Sequence, residues 1–184
     1  GIIQPMVPVA DLDYGVINKV LNVNFFGVLY LTKAFLPHLK ARPEAHIVNT
    51  SSMGGFLPVP GQTIYGASKA AVKLFTEGLW SELADTNVKV TVVFPGAIQT
   101  NIATNSGLGD YQEKMEQQMS GGSAKTPPMT PAPEAARIIV DGMEADHFRV
   151  LVGKDARFLD LLYRLAPKRA AGFIYKQMRS ILAK

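Results

Sequence analysis

From Tyr14 to Lys40, apolar residues recur around almost the whole circumference of a helix. Phe25, Phe26, Val28, Leu29, Leu31, Ala34, Phe35 and Leu36 leave little polar face, so the pattern predicts burial on more than one side. Asp11 and Asp13 precede it as N-cap candidates. Asn22, Asn24 and Gly27 interrupt it and predict an irregular or kinked turn, and Pro37 removes the helical bond to the Lys33 carbonyl. After the turn Arg42-Pro43-Glu44, the short run His46 to Ser51 reads as a strand. Helical periodicity returns from about Ile64 to Ala84, with a stripe of Ala67, Ala71, Leu74, Leu79 and Leu83. Gly78 inside this helix costs about 1 kcal/mol relative to alanine, which predicts close packing against another helix. Val88 to Phe94 is a second strand, stopped by Pro95-Gly96, and Phe148 to Val152 is a third, closed by Gly153. Glu134 to Ala145 is helical, and two basic amphipathic helices, about Ala156 to Leu165 and Lys168 to Leu182, flank Pro167.

Strands alternating with helices predict an α/β fold: a partial, doubly wound parallel sheet of about three strands with flanking helices. Ligands in such sheets bind beyond the carboxyl ends of the strands, where Ser52 and Pro95-Gly96 fall. Residues 97–133 hold only a short helical pattern near Asp110 to Met119. A stretch that long with little regular structure is usually functional, often a lid.

Composition narrows this picture. A chain of 184 residues, 47% hydrophobic and 18% charged, suits one domain with one core and is too weakly charged for a disordered chain. No uninterrupted apolar run approaches the roughly 18 residues of a membrane span. With zero cysteines, a thiol nucleophile is excluded and the balance leans towards a cytoplasmic protein. His38, His46 and His147 share no ligand spacing, so no metal site is expected. Residues 1–153 carry eleven Lys+Arg against thirteen Asp+Glu; residues 154–184 carry eight against two. The basic character therefore belongs to the C-terminal tail. Its apolar faces, Phe158, Leu161, Leu162 and Leu165 and then Phe173, Ile174, Met178, Ile181 and Leu182, suit packing on the body or on a second subunit. The same pattern also suits a peripheral membrane contact, whereas nucleic acid has no support beyond charge.

The chemistry concentrates in Ser52 to Lys69, S-M-G-G-F-L-P-V-P-G-Q-T-I-Y-G-A-S-K. Tyr65 and Lys69 lie one helical turn apart on one face. An ammonium beside a phenol lowers the phenol's pKa from about 10, which would make Tyr65 a proton donor and acceptor near neutrality. Ser52, leaving a strand thirteen residues earlier, can bring a hydroxyl to the same place. Ser51 is its rival, but the pleat turns it to the opposite side. The plainer alternative is an ordinary surface pair on a helix. Met115, Met119 and Met129 either line a site for an apolar substrate or tether the loop to the core.

N-V-N-F-F-G (Asn22 to Gly27), I-V-N-T-S-S, Y-G-A-S-K (Tyr65 to Lys69) and P-G-A-I-Q-T (Pro95 to Thr100) together resemble the short-chain dehydrogenase/reductase family. The leading Gly1 is similar to the last residue of that family's N-N-A-G turn. The resemblance implies that Tyr65 is the general acid/base, that Lys69 lowers its pKa and bonds the nicotinamide ribose, and that Ser52 holds the substrate oxygen. Asn24 would anchor a proton-relay water, although it equally suits a structural role at a helix kink. Pro95, Gly96, Ile98 and Thr100 would line the nicotinamide site of a bound NAD or NADP, with the substrate loop at about 101–133. The implied reaction interconverts a small alcohol with a ketone or aldehyde, in a homodimer or homotetramer paired through the helices of Asn24 and Tyr65. On this reading residues 1–153 are the catalytic portion and residues 154–184 a basic helical extension. The family's glycine-rich phosphate turn has no counterpart in the sequence. A truncated, non-catalytic fragment or pseudo-enzyme acting through oligomerisation or its basic tail is the alternative.

Overall fold

The computed structural model describes residues 1–109 and 129–182. Its centre is a parallel sheet in the order β1 (Ala45–Thr50), β2 (Val88–Pro95), β3 (Arg149–Val152), with Ile47 opposite Val90 and Val93 opposite Val150. Val90, Val92, Val93 and Phe94 of the middle strand are buried, as a near-continuous apolar run must be when helices cover both faces of a parallel sheet.

The first long helical run is α1 (Tyr14–Leu21), a π-helical turn (Asn22–Phe26) and α2 (Gly27–Lys40). Asp13 is the true N-cap, accepting from the Gly15 amide at 2.6 Å, while Asp11 ends a preceding 3-10 turn. The predicted irregularity falls where the asparagines are, as a widened turn. The predicted burial on more than one side does not hold. Val20, Asn24 and Thr32 are buried, but Tyr30, Leu31 and Phe35 are 61%, 62% and 57% exposed. One face of the run packs on the sheet layer and the opposite face carries its apolar side chains outward. By length and composition this run could cross a membrane, yet its centre is hydrogen-bonded into the body through Asn24.

Helix α3 (Thr63–Glu82) lies between β1 and β2 in sequence and packs on both. Its predicted single stripe divides in two. Val72, Thr76, Leu79 and the following Leu83 face the sheet, whereas Ala67, Leu74 and Gly78 face outward. A Cβ on Gly78 would meet nothing within 4 Å, so the close packing expected at that glycine does not occur within the protomer.

After the short α4 (Ile102–Asn105) come α5 (Ala132–Glu144), α6 (Lys154–Leu165) and α7 (Pro167–Leu182). The helical pattern read near 110–119, with Met115 and Met119, lies outside the described residues. The tail helices pack on the body. Leu159, Ala170 and Ile174 close around Leu57. Asp160 joins Arg149 at 3.1 Å and Arg164 at 2.9 Å, while the Arg149 guanidinium lies over the Phe94 ring. Phe158, Leu161 and Leu165 remain exposed.

Helix α3 begins without a local side-chain cap, which leaves its first N–H groups in need of acceptors. Gln4, fully buried in the N-terminal loop, supplies one: its Oε1 accepts from the Ile64 and Tyr65 amides at 2.8 and 2.9 Å. Gln62 in turn donates through Nε2 to the Gln4 carbonyl at 2.6 Å. Gln4→Met keeps the volume and removes the acceptor. It should cost about 1–3 kcal/mol in urea unfolding and speed hydrogen exchange at Ile64 and Tyr65, while Gln4→Glu keeps both amides protected. Unchanged exchange in Gln4→Met would refute the cap.

Candidate active site

The residues singled out from sequence converge where β1 and β2 end and α3 begins. Past β1 the chain turns through Met53–Gly55, with Ser52 in an extended conformation and its Oγ accepting from the Gly54 amide at 3.1 Å. The turn lies hard against α3, because a Cβ at Gly66 would stand 2.9 Å from the Gly54 carbonyl oxygen. A Cβ at Gly55 would likewise stand 2.6 Å from Ser51 Oγ. This close approach brings Ser52 Oγ and the Tyr65 ring together over Gly54, each 3.5 Å from where a Cβ on that glycine would stand. The two serines separate as the pleat requires: Ser51 is buried and donates to the Lys69 carbonyl at 2.7 Å, taking part in structure rather than in the cleft.

The expected lowering of the Tyr65 pKa by Lys69 is corrected by the structure. Burial pushes the phenol above its ordinary value, and the Ser52 hydrogen bond opposes that only in part. Burial also holds Lys69 below the ordinary lysine range. The physical reason is shared: the same desolvation that disfavours the phenolate also disfavours the ammonium meant to stabilise it. Lys69 Nζ donates to the Thr50 carbonyl at 3.0 Å.

Asn24 is 1% exposed and its side chain works as a piece of backbone. Oδ1 accepts from the Ile2 amide and Nδ2 donates to the Ile2 carbonyl, each at 2.8 Å. Nδ2 also donates to Ser68 Oγ at 3.1 Å, and Ser68 Oγ donates to the Tyr65 carbonyl at 2.6 Å. A Cβ on Gly1 would lie 2.9 Å from Asn24 Oδ1 and 3.2 Å from Lys69 Nζ, so these two side chains meet over Gly1.

Pro95, Gly96, Ile98 and Thr100 leave the end of β2 as one loop. Thr130 pairs with it, donating to the Ala97 carbonyl at 2.8 Å and accepting from the Gln99 amide at 3.0 Å. In such a parallel bridge Ile98's own N–H and C=O point to the opposite side. The Ile98 side chain packs into the cluster of Val93, Ala135, Val150 and Val152, and Thr100 is exposed. Asp155, from the first turn of α6, accepts from the Ala97 amide at 2.6 Å. Sequence reasoning missed Gln4, Ser68 and Asp155. Each acts on backbone, two of them about 60 positions away along the chain, and no spacing signals that. Among the described residues, no group of three or more His, Asp or Glu is placed to hold a metal ion.

A half-buried phenol near a serine hydroxyl, at the carboxyl edge of a parallel sheet, can donate and accept a proton beside a bound ligand. The chain is 42% identical over 152 residues to the protein SadH of Mycobacterium tuberculosis, covering 81% of this chain and 54% of that one. It thus spans about half the length of that relative. A short chain dehydrogenase of Burkholderia cenocepacia, solved in complex with NADP, superposes with a TM-score of 0.76 at 26% identity. The match covers 95% of this chain and 65% of that one. A short-chain dehydrogenase/reductase of Burkholderia phymatum, in complex with NAD, shares the fold at a TM-score of 0.71 and 24% identity, over 90% of this chain and 64% of that one. The family model described as short chain dehydrogenase matches residues 1–110, more than half of the sequence and every residue predicted to be catalytic or to line the nicotinamide site: the chain belongs to the short-chain dehydrogenase family.

Proposed function

We propose that the protein interconverts an alcohol with a ketone or aldehyde by hydride transfer to or from NAD or NADP. The observation that carries this reading is the meeting of the Tyr65 ring and the Ser52 hydroxyl over Gly54 at the carboxyl end of the sheet, each 3.5 Å from where a Cβ on that glycine would stand. The residues present fit a nicotinamide. The outward edge of Ile98 offers an N–H and a C=O to a carboxamide. Lys69, beside Gly1 and Asn24, stands ready for a ribose hydroxyl. When bound, the nicotinamide supplies or accepts the hydride.

The protein's own part is the proton. Tyr65 carries it on Oη at neutral pH, because burial holds the phenol protonated. The chain therefore stands ready to protonate a developing alkoxide, and Ser52 orients the substrate oxygen. In the reverse direction Tyr65 must first lose its proton. Alcohol oxidation should accordingly rise with pH through the alkaline range while carbonyl reduction falls. Tyr65→Phe should lower turnover by about 10²–10⁴-fold and leave the unfolding midpoint nearly unchanged. Assays of the purified protein with NADH or NADPH and apolar ketones check this, and undiminished turnover would sink the assignment.

Lys69 makes a second, activity-independent test possible. Its folded-state pKa lies below the unfolded value of 10.5, so between the two the unfolded chain binds more protons and stability rises with pH. That rise, ending near pH 10.5, should vanish from urea-unfolding profiles of Lys69→Met. Tyr65 has the opposite sign: its raised pKa contributes stability that is lost above about pH 10.

The outward stripe of Ala67, Leu74 and Gly78 on α3, with the exposed face of α2, supports pairing with a second copy of the chain. Gly78→Ala separates the possibilities. In an isolated protomer, with open space at that position, it should stabilise by about 1 kcal/mol. In a close helix pair it should instead weaken association in sedimentation experiments, as should Leu74→Asp.

A further inference from the structure

The loop on the cofactor side of the site is held by a side chain that belongs to neither β2 nor α3. Pairing between β2 and β3 continues one step past the strands, where the Gly96 amide donates to the Val152 carbonyl at 2.9 Å. There β3 ends, because Gly153 takes φ +101° and turns the chain away into α6. The Ala97 amide that follows is turned off the β3 ladder, whose donors on this side are alternate residues such as Val92 and Gly96, so it needs an acceptor from elsewhere. Asp155 provides it instead, Oδ2 accepting at 2.6 Å from 58 residues away.

A carboxylate in the first turn of a helix ordinarily serves that helix's own N–H groups and dipole. Here it serves the backbone of the loop that leaves β2. Two glycines make room for it. A Cβ on Gly96 would lie 2.3 Å from both carboxylate oxygens, and one on Gly153 would lie 2.4 Å from Oδ1. Neither contact leaves space for a methyl group, so the P-G of P-G-A-I-Q-T and the glycine closing β3 are shaped around the same acid.

Asp155 fixes the plane of the Gly96–Ala97 peptide, and Thr130 fixes the Ala97 carbonyl and the Gln99 amide on the same side. Together they determine which way the N–H and C=O of Ile98 point. We infer that Asp155 is a positioning residue for nicotinamide binding: a carboxylate from the C-terminal helices that aims the backbone of Ile98 through Ala97. This rests on the hydride-transfer reading above, and it gives the tail a part in the site.

Binding of NADH and NADPH, followed by their fluorescence, tests it in wild type, Asp155→Asn, Asp155→Ala, Gly96→Ala and the double variant Gly96→Ala/Asp155→Ala. A charge-assisted bond lost from a positioning contact should weaken binding in Asp155→Ala by about ten- to a hundredfold. The cofactor KM should rise with it, by more than kcat falls. Asp155→Asn keeps an acceptor oxygen and should recover binding to within about threefold of wild type. Gly96→Ala should bind poorly by itself, and in the double variant the added methyl group should cost less than it does alone, because the group it strikes is gone. Unfolding midpoints taken alongside separate loosened aim from a damaged fold. Undiminished binding in Asp155→Ala, equal losses in Asn and Ala, or losses that only follow the midpoint would overturn the positioning role and leave hydride transfer standing. A wild-type protein that binds neither nucleotide would overturn hydride transfer itself.

Discussion

The backbone of the first two turns of α3 is gripped from outside, and the rest of the site depends on that grip. Gln4 accepts from the Ile64 and Tyr65 amides, Ser68 donates to the Tyr65 carbonyl, and Ser51 donates to the Lys69 carbonyl. A helix start is normally the least restrained part of the element, since its N–H groups lack partners within the helix. Here the N-terminal loop, the end of β1 and the helix itself each contribute a side chain to those backbone groups. The phenol is thereby placed by its main chain before any contact of its ring is counted.

This grip has an electrostatic cost. Enclosing Tyr65 and Lys69 displaces water from both, and the two pKa values shift in opposite directions, the phenol up and the ammonium down. The opposed shifts favour the pair with both groups neutral over the separated charges. On the proposed hydride-transfer reading, proton exchange between substrate and phenol would then proceed without a persistent buried ion pair, a kind of pair whose desolvation can exceed its attraction.

Much of this was legible in the sequence, for identifiable reasons. The strands showed themselves because parallel strands buried on both faces are short apolar runs, and Pro95-Gly96 and Gly153 mark where they stop. Asn22 and Asn24 betrayed the break in the first helix because side-chain amides compete with helical bonds. Periodicity says that a face is apolar but not what covers it, so Leu31 and Phe35 were assigned to an interior they do not occupy within one protomer. Gln4 and Asp155 stayed hidden because accepting from a distant amide needs no particular neighbours in sequence. The sign of the Tyr65 shift was misjudged because spacing shows a nearby charge but not the loss of solvent around it.

The π-helical turn at Asn22–Phe26 carries a consequence for how this chain tolerates insertion and deletion. A single wide turn of this kind behaves as one residue added to an α-helix, and each residue of an α-helix advances its facing direction by about 100°. The extra residue is what lets Asn24 face Ile2 and Ser68 while the following helix presents Tyr30, Leu31 and Phe35 on its own outward side. Shortening the segment by one residue would relax it to ordinary α-helix and turn everything beyond it by more than a quarter circle. The chain would then have to give up either the asparagine's bonds or the outward apolar face. The two halves of this helix are thus held in a fixed phase, which ties the geometry of the interior to that of the surface.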